Sequence, residues 1–233
     1  MAAYDLEEQE QIEELKTWWK QHGNRVTAIL CVVVLSLSGW QVWTWWQRTQ
    51  NVQAAQVFSQ LQQAAGQGDA KRSRELAGTL IEKFSGTRYA EMGAMISAKV
   101  LVDGSDTKNA RAQFEWVSNN AYDKAFRDLA RLRLASVLMD EGQFDEALVT
   151  LSQEPQAEFK PRFLELTGDI QASRGNMEGA KLVYEQATTL VSKSEASVDT
   201  ESKRRAANYR DVILAKTDGL AASSVPTGGV ETK

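Results

Sequence analysis

The chain has 233 residues, with 27 basic and 31 acidic side chains, one Cys and one His. That length holds one or two domains of ordinary size, and the mildly acidic balance gives no electrostatic footprint for nucleic acid. Cys31 has no partner for an intrachain disulfide, and beyond it neither His nor Cys occurs. This excludes His-based triads, thiol nucleophiles and the common zinc sites from most of the chain. The expectation is a protein that is not an enzyme and holds no cofactor or metal.

Residues 1–25 are acidic. Within them DLEEQEQIEELKTWWKQHG places Ile12, Leu15 and Trp19 at i, i+3 and i+7, the spacing of a short amphipathic helix. Its acidic face suits a basic cytoplasmic partner, or simply solvent.

Residues 26–46, VTAILCVVVLSLSGWQVWTWW, carry no formal charge over 21 positions. As a helix this run is about 31 Å long, close to the hydrocarbon thickness of a bilayer. Lys16, Lys20 and Arg25 precede it and only Arg48 follows closely, which predicts a cytoplasmic N-terminus by the positive-inside bias. The run is longer than a signal-peptide core and follows an acidic, extended N-terminal segment, so it reads as a retained anchor. Trp18 and Trp19 precede it, and Trp40, Trp43, Trp45 and Trp46 form its last turns. Indoles settle where an apolar ring and a wet N–H are both satisfied, so these six of the seven tryptophans predict an aromatic belt. The alternative is a docking surface for another membrane helix. Thr27, Cys31 and Ser38 fall roughly on one face, where small side chains permit close helix contact in lipid. Ser and Thr hydrogen-bonded to their own backbone give the plainer reading.

Residues 47–216 form the main domain. No Pro or Gly interrupts the chain between residue 47 and Gly66, and Ala54, Phe58, Leu61 and Ala65 recur at helical spacing. The membrane helix is therefore expected to continue to about residue 65, a stiff post in place of a Gly/Ser-rich linker. Helix pairs follow. EGQFDEALVTLSQ and RGNMEGAKLVYEQA align Gly142 with Gly175, Phe144 with Met177 and Ala147 with Ala180, each 33 apart, near the roughly 34-residue tetratricopeptide period. First helices are expected near 51–65, 88–103, 128–140 and 162–173, with Gly168 as the small residue at a helix crossing. An earlier second helix aligns Ala77 with Ala110. A last helix near 199–216, N-capped by Asp199 and turning Ala206, Tyr209, Val212 and Ile213 inward, closes the stack. Residues 217–233 read as a disordered tail. The predicted fold is all-α: one N-terminal transmembrane helix, then a tetratricopeptide-like (TPR-like) helical-hairpin solenoid.

In such a stack the first helices line one face. The repeat phasing turns Arg133, Ser136, Asp140, Arg162, Glu165 and Asp169 toward a groove suited to a protein partner. Asp145, Glu146 and Glu178 stand near turns, where acids commonly favour helix N-termini, so they do not make a catalytic pair.

Tyr4, the Gln-containing acidic stretch EEQEQIEELKTWWKQHG, the anchor, Gly39-Trp40 with Trp43, and then a Gln- and Ala-rich helix leading into degenerate repeats occur in one order. In that order the chain resembles the YfgM family of ancillary SecYEG translocon subunits over nearly its whole length. The resemblance implies a single-pass bacterial inner-membrane protein with a cytoplasmic N-terminus and a periplasmic domain. It also implies association with SecYEG, with a PpiD-like periplasmic chaperone and with translocating polypeptides, and a regulatory role for the cytoplasmic arm. The same repeats would also serve an envelope scaffold for outer-membrane assembly or division machinery.

Overall fold

The computed structural model describes residues 2–195 and 200–223. Among these, every regular element is a helix: α1 (Ala2–Gly66), α2 (Ala70–Phe84), α3 (Arg88–Asp103), α4 (Thr107–Asn120), α5 (Lys124–Asp140), α6 (Phe144–Leu151), α7 (Lys160–Ser173), α8 (Met177–Glu195) and α9 (Thr200–Ser223). The chain divides into one unit up to Gln53 and a second from Ala54 on.

The first unit is made by α1, which passes helically through His22 and Gly23. From Trp18 on, this helix is long and apolar enough to cross a membrane. The side chains of residues 27–43 are all exposed, as they would be against lipid. Its hydroxyls bond back to the same helix: Ser36 to the Val32 carbonyl at 2.7 Å and Thr44 to that of Gln41 at 3.0 Å. Such back-bonding satisfies a hydroxyl where water is absent.

The second unit is a run of helix pairs. The end of α1 with α2, α3 with α4, α5 with α6 and α7 with α8 pack consecutively, and α9 lies on α8. One core cluster holds Phe58, Leu61, Leu76, Leu80 and Phe84. A second runs from Leu101 and Phe114 through Leu138 and Leu151 to Phe163 and Ile170, and a third joins Tyr184, Ala187 and Val191 to Ile213 of α9. Because each cluster draws on helices of neighbouring pairs, the pairs are stable together: a fully buried Leu or Ile contributes about 1.5–3 kcal/mol.

The turn within each pair repeats one hydrogen-bond pattern. Gly68, Ser105, Gly142 and Gly175 each adopt a left-handed backbone, with φ of 70, 62, 74 and 81°. Their N–H groups reach back to Ala65, Val102, Met139 and Ala172, while the next residue reaches Ala64, Leu101, Leu138 and Gln171. These are the two bonds of a Schellman ending, which satisfies carbonyls left open at a helix C-terminus. That next residue also starts the following helix. Asp69 and Asp106 accept the backbone N–H of Arg72 and Asn109, and Asn176 accepts that of Gly179, an N-cap in each case.

This pattern shifts the expected register of the early repeats. The capping residues Asp69, Asp106 and Gln143 are 37 apart, and only the step to Asn176 is 33. Ser73, not Ala77, is therefore the counterpart of Ala110. Two further details differ at the C-terminal end. Val212 of α9 is exposed while Ala206, Tyr209 and Ile213 pack inward. The helix also continues past residue 216 to Ser223. Asp199 and residues 224–233 lie outside the described residues.

Candidate functional site

A groove crosses the first helices of three successive pairs. It consists of two adjoining compartments. One, of about 450 Å³, lies between α3 and α5, where Met95, Ile96, Val102 and Val137 give apolar surface and Lys99, Asp103 and Asp140 give charge. The other, of about 430 Å³, lies between α5 and α7 and is lined by Leu132, Phe159, Leu166, Arg162, Glu165 and Asp169. Leu129, Arg133 and Ser136 belong to both. The six residues that repeat phasing turned toward a groove thus line one continuous surface.

Their chemical states differ. Arg133 and Asp140 are exposed. Ser136 donates to the Leu132 carbonyl of its own helix at 3.0 Å. Arg162 lies 4.0 Å above the Tyr209 ring, a cation–π contact. Glu165 is buried, at 8% exposure, and accepts the Tyr209 hydroxyl at 2.7 Å and Lys216 Nζ at 2.8 Å. Lys216 also donates to both Asp169 oxygens, at 2.8 and 2.7 Å, and Asp169 accepts the Tyr184 hydroxyl at 2.7 Å. Helix α9 thereby takes up the two acids at the end of the groove.

Electrostatics follow from these partners. Burial pushes the Glu165 carboxyl up, but the hydrogen bonds from Lys216 and Tyr209 outweigh it and leave the group below the ordinary glutamate range. Desolvation pulls Lys216 down, and its bonds to Asp169 and Glu165 more than compensate, raising it. Burial, reinforced by the carboxylate each phenol serves, raises Tyr184 and Tyr209. At neutral pH Glu165 and Lys216 are therefore charged, while both phenols keep their protons and donate them.

Glu165 also belongs to a series that sequence reading missed. Glu91, Asp128 and Glu165 are buried carboxylates on α3, α5 and α7, spaced 37 apart. Glu91 accepts the backbone N–H of Tyr122 in the α4–α5 turn at 2.6 Å, and Asp128 accepts that of Gln156 in the α6–α7 connection at 2.9 Å. Each fixes the turn that leads into the next pair. At Glu165 the partners come from α9 instead. An acid recurring every 37 residues is the signal that marks them.

On α1, the side chains of Trp18, Trp19, Trp40, Trp43, Trp45 and Trp46 are all exposed, as are Thr27, Cys31 and Ser38. The Trp43 and Trp46 rings pair with centroids 5.7 Å apart, and Trp18 stacks on His22 at 5.4 Å. Among the acids near turns, Asp145 pairs with Arg174 and Glu146 with Arg111, and Glu178 lies in the first turn of α8.

A family model for a tetratricopeptide repeat-like domain matches residues 16–218. A Haemophilus influenzae protein is 31% identical over 185 residues, 79% of this chain and 90% of its own length. A Neisseria gonorrhoeae protein is 30% identical over 190 residues, 80% and 90% of the two chains. An Escherichia coli K12 protein is 25% identical over 181 residues, 76% and 85%. Each of the three bears the name ancillary SecYEG translocon subunit.

Proposed function

The chain belongs to the family of ancillary SecYEG translocon subunits, and on that premise we propose that it is a non-enzymatic, membrane-anchored member of a SecYEG assembly. In this reading residues 26–46 span the inner membrane. Residues 1–25 face the cytoplasm, where a regulator would meet them, and residues 47–216 form a periplasmic interaction domain. The groove on α3, α5 and α7 receives other chains: translocating polypeptides, and a PpiD-like chaperone that the domain would hold near the translocon. The observation that carries the proposal is the likeness to proteins of that name over 79% of the chain, alongside a repeat-like family model whose match takes in the apolar helix and the repeats together. The exposed indoles and the Thr27, Cys31 and Ser38 face are the surface offered to lipid and to the translocon's helices.

The test is photo-crosslinking in vivo. A photoreactive residue in place of Trp43 or Ser38 is expected to trap SecY or SecE, and one in place of Arg133 to trap nascent secreted chains or a periplasmic chaperone. Crosslinks only to outer-membrane assembly or division proteins would favour the scaffold role and overturn the proposal.

A further inference from the structure

The compartment between α5 and α7 is apolar with charge arranged around it: Leu129, Leu132, Phe159 and Leu166 on one hand, Arg133, Arg162, Glu165 and Asp169 on the other. By composition alone its two arginines and two carboxylates cancel. The hydrogen bonds break that balance. Glu165 and Asp169 are held by Lys216, Tyr209 and Tyr184, so α9 adds a positive charge and occupies the acids' accepting oxygens. Across the compartment, the Arg133 guanidinium has no ion-pair partner among the described residues. Arg162 keeps only a 3.4 Å contact to Glu165, stacks on Tyr209 and leaves its side chain 58% exposed. What faces an incoming chain is therefore two guanidiniums, one from α5 and one from α7, over leucine and phenylalanine.

We propose that this compartment selects polypeptide segments in which an acidic side chain sits among apolar ones, and that Lys216 of α9 sets this preference by neutralising Glu165 and Asp169. The apolar surface buries the neighbouring side chains. Guanidinium groups match a carboxylate with paired donors. The inference rests on the groove reading above and adds its charge specificity.

The experiment uses the full chain in nanodiscs of zwitterionic lipid, with empty nanodiscs as the blank. Fluorescence anisotropy follows a fluorescein-labelled peptide of alternating leucine and glutamate against its leucine–glutamine and leucine–lysine counterparts. The glutamate peptide is expected to bind about three- to tenfold more tightly than the glutamine one, and the lysine peptide more weakly than either. High salt should shrink that order. Arg133→Ala, at an exposed position that leaves the fold intact, should erase most of the glutamate advantage. Lys216→Gln should reverse it by uncovering the two acids. Equal binding of all three peptides, or an advantage untouched by Arg133→Ala, overturns the charge assignment while the groove stands. Failure of every peptide to bind overturns both.

Discussion

Gly168 shows how a single side-chain position fixes two helices. It lies on α7 where Tyr184 of α8 crosses, and a Cβ built there would come within 2.4 Å of the Tyr184 ring. The ring cannot retreat freely, because its hydroxyl is anchored on Asp169 at 2.7 Å. Gly168→Ala should gain up to about 1 kcal/mol of helix propensity and lose about 1–3 kcal/mol to overpacking. A net loss of roughly 1–2 kcal/mol is expected, read as a lower thermal midpoint by circular dichroism. An unchanged midpoint would mean the ring shifts without loss. This residue was legible beforehand, since a small residue at a helix crossing leaves its mark in the local spacing. Glu165 was not. On a helical wheel it belongs to the groove face, and its burial depends on Tyr209 and Lys216, 44 and 51 residues further along the chain. No local pattern carries that contact.

At the level of elements, the repeated turn decides where each helix stops and the next starts. Three of its four left-handed positions are glycines, and the fourth is Ser105, at φ 62°. An L-residue other than glycine is strained there by about 1–2 kcal/mol. Ser105→Gly should therefore stabilise the domain by about 0.5–1 kcal/mol in chemical denaturation, and Gly175→Ala should destabilise it by about 1–2 kcal/mol. Opposite signs are the expected outcome; a loss at both positions would show that the serine side chain supports its own turn. The same turns explain what periodicity missed. The match at 33 residues reflects only the last two pairs, because α5 runs 12 residues past Asp128 and α7 only 8 past the aligned Glu165. Carrying that spacing backward set Ala77 one helical turn from the true counterpart of Ala110. The four hairpins themselves were legible, since Gly and Asp punctuate Ala-rich amphipathic runs.

For the molecule as a whole, the cluster tying α9 to α7 gives the domain a pH window. Glu165 is held below its ordinary value of 4.5, so its contribution is complete above that pH and lost as acid titrates it in the folded state. Lys216 is raised above its ordinary 10.5, so its contribution is complete below that value and lost in stronger base. Stability should be flat between these limits and fall on both sides. In Glu165→Gln the acid limb should become shallower while the alkaline limb persists, as followed by thermal unfolding across pH. An acid limb identical to that of the parent would assign the loss to other carboxylates.

The buried acids on α3 and α5 have a consequence for how such an array changes length. Glu91 and Asp128, 4% and 3% exposed, each accept an N–H from the connection that leads into the following pair. Trimming the chain at a hairpin boundary would strand a desolvated anion at the new end, at about 1–3 kcal/mol or more. Modular gain and loss of units, the usual route by which repeat arrays diversify, is thus resisted here. Copies that lengthen or shorten should do so only where α9, with its lysine and tyrosine, moves along as the terminus.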